Sequence, residues 1–369
     1  MDITENVFKL TDEIGPERVV FLYEPRTQMK AIVVVDNVAA GPAIGGVRMA
    51  PDVTATEVRR LARAMTYKNV MAGLPHGGGK SGIIADPKTV NKEHVIRTFA
   101  RAIKSLEEYI PGPDMGTDES DMAYIYDETS RAVGLPLELG GIPLDEIGAT
   151  AYGVAICADM AKEYVPLDLN GARLTIEGFG NVGKPTARFL AERGVKLIAT
   201  SDSKGTIYNP AGLNVDELIR IKDTTGSVIN YKDGQVLKTT DLLMIKTDIF
   251  VPAARPDVVT DANADVIDAK LIIEGANIPI SETAERMLHE RGILVIPDFV
   301  ANAGGVITAS VEYHGGTETQ AFDRIKSTIT RNTKEILDVV KNEKTYPRES
   351  AVRIAKQRVL RAMKYREWM

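Results

Sequence analysis

The sequence predicts an α/β protein of two domains, the second built on a parallel, doubly wound sheet. Three observations carry this. The chain has 369 residues, too many for one ordinary core. Residues 1–146 mix helical and strand patterns. From about residue 172, short β-rich runs alternate with helical stretches, which is the pattern of a parallel sheet.

In the first part, "MKAIVVVDNV" is a β-rich run and "TEVRRLARAMTYKNVMAG" a helix. On that helix Leu61, Met65, Lys68 and Ala72 share an apolar stripe. Lys68 on such a stripe needs an anionic partner or a lowered pKa, unless it snorkels to water from the edge. "GLPHGGGKSG" follows and reads as a glycine-rich loop leading into a strand, "SGIIADP". Its Gly-Lys-Ser ending resembles a phosphate cradle, but Gly73 stands one residue too early for that spacing. A helix also precedes the loop where a strand is required. Lys80 is therefore read as a chemical group reached through side-chain-free backbone, the plain alternative being a flexible turn.

"EHVIRTFARAIKSLEEY" spaces Val95, Phe99, Ile103 and Leu106 as a helix. "YIPGPDMGTDESDM" holds Asp114 in a rigid loop, with Thr117 or Asp118 capping the next helix. Asp118, Glu119 and Asp121 read as solvated first-turn acids that complement the helix dipole, rather than metal ligands. "GGIPLDEIGATAYG" is turn-rich and marks a hinge before the helix "GVAICADMAKEYV". The strands "LTIEGFG", "VKLIAT", "DIFVPAA", "LIIEGAN" and "ILVIPDF" come next. Two amphipathic helices, "AFDRIKSTITRNTKEILDVV" and "ESAVRIAKQRVLRAMKY", close the chain.

Composition narrows the class. The chain is 44% hydrophobic and 26% charged with net charge −6, the balance of a globular protein without a nucleic-acid surface. No apolar run reaches membrane-spanning length, and "MDITENVFKL" lacks the regions of a signal peptide. A cytoplasmic location is expected. Cys157 is the single cysteine, and the four histidines show no ligand spacing, so neither a disulfide nor a metal site is expected.

"RLTIEGFGNVGKPTARFLAERGVKLIATSD" carries Gly178, Gly180 and Gly183 in GxGxxG spacing between a β-rich run and a helix. The first glycine permits the tight turn, the second lets backbone approach a pyrophosphate, and the third lets helix pack on strand. The pyrophosphate then sits at the helix N-terminus. Asp202, ending the next strand, can hydrogen-bond a ribose 2′-hydroxyl as NAD requires, whereas Ser201, Ser203 and Lys204 can hold the 2′-phosphate of NADP. Both cofactors stay open.

"GPAIGGVRM", "ARAMTYKNVMAGLPHGGGKSG", "PDMGTDESDM", "GFGNVG", "SDSKGTIYNPAGL", "EGANIPI" and "PDFVANAGGVI" resemble, in order and spacing, the glutamate/leucine/phenylalanine/valine dehydrogenases over nearly the whole chain. The resemblance implies reversible oxidative deamination of an L-amino acid to a 2-oxo acid and ammonia, with hydride passing to NAD or NADP. It implies that Lys80 activates the attacking water, Asp114 shuttles protons to and from the amine, and Lys68 binds the α-carboxylate. Ile44, Gly45, Gly46, Thr150, Val306 and Ala309 would line the substrate site. Asn181, Val182, Ala253, Ala254, Asn277 and Asn302 would join the glycines, Ser201 and Asp202 around the cofactor. The domains implied are a substrate-binding and oligomerisation domain (1–146), a Rossmann-type dinucleotide-binding domain (147–325) and C-terminal helices (326–369) packing back on the first. The active site is expected in the interdomain cleft. The partners implied are small molecules and further copies of the chain, in a hexamer or octamer, with no nucleic acid or membrane.

Glutamate-specific members resemble this chain but carry a lysine in the GPxKGG stretch and a serine seven residues after the Asn of NAGG. Here those positions are Ile44 and Ala309. Burying a second carboxylate unpaired there costs several kcal/mol, and an apolar side chain gains about 1.5–3 kcal/mol from burial. A hydrophobic amino acid is therefore expected as substrate. The alternative is glutamate, its γ-carboxylate held by another group such as Arg48, because "SDSKGTIYNPAGLNVDELIRIKDTTGSVINY" and "AVRIAKQRVLRAMKYREW" look glutamate-dehydrogenase-like. A non-catalytic sensor on the same fold is a further alternative, against which Lys68, Lys80 and Asp114 argue together. Glu177 stands where members often have Gln, a departure that the sequence does not explain.

Overall fold

The computed structural model describes residues 11–367, so the "MDITENVFKL" segment read above lies outside the described residues. The chain forms two units. The first comprises Met1–Leu144, Val306–Phe322 and Val352–Met369; the second comprises Asp145–Gly305 and Asp323–Ala351.

The sheet of the first unit has five strands in the order β1-β2-β4-β3-β5: β1 (Arg18–Glu24), β2 (Met29–Asn37), β3 (Ala43–Met49), β4 (Gly77–Ile83) and β5 (Tyr109–Pro113). β1, β2 and β4 pair antiparallel; β3 runs parallel to both β4 and β5. Helix α1 (Ala55–Met71) starts at Thr54, whose side chain accepts from the Glu57 N–H, a normal N-cap. Helix α2 (Lys92–Ala102) starts at Asn91 in the same way. It stops at Ala102, short of the Leu106 that the spacing includes. Arg131 explains the stop: its guanidinium donates to the carbonyls of Ile103 (2.8 Å), Lys104 (2.9 Å) and Leu106 (3.1 Å), satisfying acceptors a longer helix would use. Helix α3 (Glu119–Thr129) begins with a capping box between Asp118 and Asp121, and Lys92 lies against both carboxylates. Asp118 and Asp121 are thereby structural, and Asp121 is buried where a solvated acid is expected, because it closes the capping box and pairs with Lys92.

The glycine-rich stretch is strand, not loop. Gly77, Gly78, Gly79 and Lys80 all belong to β4, inside the sheet. A β-carbon on Gly78 would lie 2.0 Å from the Thr66 nitrogen, and one on Gly82 2.3 Å from the Val53 side chain. Gly78 thus exists because α1 rests directly on the strand backbone, and Gly77, Gly79 and Gly82 because Asn37, Tyr109 and Val53 crowd them. The fully buried face of α1 is Val58, Ala62, Thr66 and Asn69; Leu61 and Met65, placed on the apolar stripe above, are partly exposed. Hydrophobicity misplaces the stripe because two packed positions are the polar Thr66 and Asn69. Thr66 donates to Asp36 (2.6 Å) and Asn69 to the Gly77 carbonyl (2.6 Å).

The second unit carries a seven-stranded sheet in the order β12-β11-β10-β6-β7-β8-β9. β6 (Arg173–Glu177), β7 (Lys196–Asp202), β10 (Ile249–Pro252), β11 (Leu271–Ile273) and β12 (Leu294–Ile296) are the five parallel strands expected. β8 (Gly205–Tyr208) and β9 (Gln235–Leu237) extend the edge antiparallel and were not expected; both are short and interrupted by turn residues. The remaining helices of the chain, shared between the two units, are α4 (Ala149–Ala161), α5 (Gly183–Ala191), α6 (Val215–Thr225), α7 (Glu282–Glu290), α8 (Asp298–Ala301), α9 (Gly304–Tyr313), α10 (Glu318–Glu343) and α11 (Pro347–Tyr365). Among the described residues no helix is long and apolar enough to cross a membrane.

The units divide the C-terminal third more finely than 147–325 and 326–369. Residues 306–322 join the first unit, where Glu312 accepts the Leu135 (3.1 Å) and Ile142 (2.9 Å) N–H groups. Residues 323–351 join the second: Thr333 meets Cys157 (3.3 Å), and Asp338 accepts from Tyr164 (2.6 Å). Residues 352–367 return to the first, with Lys356 paired to Glu13 and Val359 packed with Ile14 and Val70. Helical periodicity gives each helix but not the neighbour that each half selects.

Gly78→Ala should lower stability by at least about 3 kcal/mol or abolish folding, because the clash is with helix backbone. Gly171→Ala, at φ +84° with open space around it, should cost only about 1–2 kcal/mol. Denaturant unfolding of the two variants measures the difference.

Candidate functional site

Three neighbouring strands of the first unit deliver one charged cluster. Lys80 stands on β4, Arg48 near the end of β3, and Asp114 just beyond β5. The Lys80 ammonium lies 3.0 Å from Asp114 Oδ2, and Arg48 Nε donates to the same oxygen at 2.8 Å. Arg48 also donates to Glu57 at 2.5 Å. Thr117 fixes the loop: its hydroxyl accepts the Asp114 N–H (3.0 Å) and donates to the Val47 carbonyl (2.7 Å). Gly46 lies beneath the pair, where a β-carbon would come within 2.7 Å of the Asp114 side chain and 2.9 Å of the Lys80 nitrogen. Glycine is therefore required for the ion pair to form.

Burial pushes the Asp114 carboxyl up, but the Lys80 and Arg48 charges outweigh it and hold it below the usual range. Asp114 is thus an ionised acceptor with a buried lysine as partner. Lys68 is also buried, on the last turn of the helix that packs on β4. Arg48 was read from the sequence only as a spare cation; its guanidinium is committed to Asp114 and Glu57. The signal for its role is strand alternation, which puts Ile44, Gly46 and Arg48 on one face of β3.

Ile44 and Ala309, far apart in sequence, share one buried apolar cluster with Ile110 and Val133. The last two went unnoticed because they look like ordinary core residues. Gly45 has no room for a side chain, its β-carbon position lying 1.7 Å from the Gly79 oxygen. Val306 is partly exposed on α9. Thr150 belongs to the second unit, on the first turn of α4 against Gly304.

In the second unit the cofactor candidates gather at the carboxyl ends of β6, β10 and β11, where strand order reverses between β6 and β10. Gly178 adopts φ +91°, and its missing β-carbon would strike Ala254 at 2.5 Å. A β-carbon on Gly183 would lie 1.9 Å from the Gly178 oxygen, whereas one on Gly180 would meet nothing within 4 Å. The space at Gly180 leaves room for a ligand to approach the backbone closely. Helix α5 begins after Val182 without a side-chain cap, leaving its start to an anion. Asn181 donates to Asp145 (3.0 Å). Glu177 ties the motif to the neighbouring loop: its carbonyl accepts from Ala253 (2.7 Å) and its carboxylate from Ala254 (3.2 Å). Burial pushes that carboxyl up. Asn302 donates to the Gly275 and Ala276 carbonyls and to Asn277 Oδ1, while its own buried Oδ1 has no partner. These residues fit a nicotinamide dinucleotide: an open glycine, an uncapped helix start and an orphaned amide oxygen.

Asp202 also has partners within its own unit. Its carboxylate accepts from Lys222 (2.8 Å), the Lys204 N–H (2.9 Å), Ser227 (3.1 Å) and the Val228 N–H (2.9 Å), which saturates it. It holds the β7–β8 turn, and its partners come from a segment the motif does not include. Ser201 is buried with an unpartnered hydroxyl; Ser203 and Lys204 are exposed.

Comparison with known proteins shows the family. The sequence profile described as Glutamate/Leucine/Phenylalanine/Valine dehydrogenase matches residues 140–367, and that of the Glu/Leu/Phe/Val dehydrogenase dimerisation domain matches 16–131. The chain is 41% identical to a glutamate dehydrogenase of Aeropyrum pernix, over 90% of this chain and 85% of that one. It is 37% identical to an NADP-specific glutamate dehydrogenase of Saccharolobus shibatae, over 89% and 83%. Among solved structures it resembles the hetero-hexameric glutamate dehydrogenase of Thermus thermophilus in its Leu-bound form (TM-score 0.87, 28% identity, 98% and 94% covered). It also resembles the L-tryptophan dehydrogenase of Nostoc punctiforme (TM-score 0.74, 27% identity, 98% and 99% covered).

Because the folded Asp114 titrates below its unfolded value, its ion pairs add stability above about pH 4, and that contribution fades as acid protonates the carboxylate. Asp114→Asn should therefore be less stable than the parent at neutral pH, and the gap should narrow below about pH 4. Unfolding free energies of both proteins from pH 7 to 3 measure this; a constant gap refutes it.

Proposed function

We propose a reaction for a chain that belongs to the glutamate/leucine/phenylalanine/valine dehydrogenases: reversible, NAD(P)-dependent oxidative deamination of an L-amino acid to a 2-oxo acid and ammonia. The observation that carries it is the buried Lys80–Asp114 pair, 3.0 Å apart beside a glycine whose missing side chain leaves room for the two to meet. A bound nicotinamide supplies the hydride acceptor. In the oxidative direction Asp114, held ionised, takes a proton from the substrate ammonium, so that hydride can leave the α-carbon and an iminium remains. Lys80 activates the water that adds to the iminium carbon, and ammonia departs with a proton returned through Asp114. Lys68 pairs with the α-carboxylate. Assembly with further copies of the chain is part of the same proposal, supported by the dimerisation-domain match to residues 16–131.

The names of the relatives favour glutamate as the substrate over an apolar amino acid. One observation of this chain favours the second choice: Ile44 and Ala309 lie in a single apolar cluster with Ile110 and Val133. Arg48, the cation nearest in sequence to Ile44, is engaged by Asp114 and Glu57 and would have to abandon both to meet a γ-carboxylate. Against a site that pairs a carboxylate, an apolar site differs by about a thousandfold or more in kcat/KM between the two substrate classes.

Initial rates of reduced-nicotinamide formation with glutamate, leucine, valine and phenylalanine, each with NAD and NADP, decide the substrate. A glutamate preference supports the relatives' function; a preference for an apolar amino acid by about a thousandfold supports the Ile44 cluster. Lys80→Ala should lower kcat by about a hundredfold or more while dinucleotide affinity is kept.

A further inference from the structure

The second unit holds a buried ion cluster that the reaction above does not use. Arg348, on the first turn of α11, donates to Glu274 (2.7 Å), Asp298 (3.0 Å) and Glu285 (2.5 Å), so one guanidinium faces three carboxylates. Burial and the neighbouring Glu285 charge push Glu274 well above its usual range, which reduces the negative charge to be balanced. The cluster is tied to the cofactor loops by named bonds. Asp298 Oδ2 accepts the Ile278 N–H (2.8 Å), the Asp298 N–H donates to Glu274 (2.8 Å), and the Asp298 carbonyl accepts the Asn302 N–H (2.8 Å). Ile278 has φ +50°, a left-handed conformation that a β-branched residue avoids unless its surroundings impose it.

We infer that Arg348 is a positioning residue for the coenzyme: by fixing Asp298 it holds Ile278 in the left-handed turn and thereby sets Asn277 and Asn302. The inference rests on the dinucleotide function proposed above. The loop Gly275–Ile278 leaves the end of β11, and α8 (Asp298–Ala301) leaves the end of β12; Asp298 is where the two are joined. With the clamp weakened, Ile278 relaxes to negative φ, the turn carrying Asn277 is displaced, and the fraction of molecules competent to bind falls. Apparent affinity falls by that same fraction.

The test uses the full chain and titrates NADH and NADPH by nicotinamide fluorescence. Arg348→Lys keeps the charge but cannot span three carboxylates, and should weaken dinucleotide binding by about tenfold or more while the amino-acid KM changes little. Glycine adopts positive φ freely, so adding Ile278→Gly to Arg348→Lys should restore the dissociation constant to within about threefold of the parent. Asp298→Asn, with and without Ile278→Gly, gives the same comparison if Arg348→Lys does not fold. Parent-like affinity in Arg348→Lys, or a loss that Ile278→Gly does not repair, overturns the inference and leaves the cluster as core packing. Absence of dinucleotide binding by the parent protein would instead refute the function on which it rests.

Discussion

The approach of a helix to bare strand backbone governs the first unit. α1 lies on β4 closely enough that Gly78 cannot carry a side chain, and Thr66 and Asn69 supply polar contacts where apolar ones would be expected. That contact sets where β4 runs, and β4 sets where the Lys80 ammonium emerges. Gly46, one strand away, then leaves the gap in which Lys80 meets Asp114. The polar chemistry at this place is a result of backbone packing. A lysine on a flexible loop would lose more entropy on meeting its partner and would hold it less firmly.

Much of this architecture was legible beforehand, for identifiable reasons. The five parallel strands of the second unit and the glycine turn after β6 follow from periodicity and from where Gly178, Gly180 and Gly183 fall. The capping of α3 follows from Asp118 and its spacing to Asp121. The glycine-rich stretch was misread because composition cannot distinguish a glycine that provides mobility from one that admits a neighbour; β4 contains the second kind. The structural partners of Asp202 are not legible in the sequence, because Lys222, Ser227 and Val228 lie outside the motif. Ile110 and Val133 escape notice, and Arg48 reads only as a partner for a γ-carboxylate, because the significance of all three is one of adjacency across strands.

The second unit separates rigid from receptive parts by the same logic. Gly178 and Gly183 are filled by Ala254 and by the chain's own backbone, and so build the turn; Gly180 is left open. Glu177 joins the ends of β6 and β10, and Asn302 joins its own helix to the Gly275–Asn277 loop. A buried carboxylate and a buried amide thus replace the mobility that loops at a sheet edge would otherwise have.

The first unit is assembled from three stretches of chain, and the last of them, residues 352–367, packs Val359 and Met363 against Ile14 and Val70 near the opposite end of the sequence. During synthesis the early sheet therefore waits for more than two hundred intervening residues before this face is covered. Each sheet lies within one continuous segment, residues 18–113 and 173–296, so each can form as soon as its own stretch is made. The earlier sheet is complete first, yet the helix that covers this face of its unit arrives last, and that face is the part most in need of protection while the ribosome is still at work.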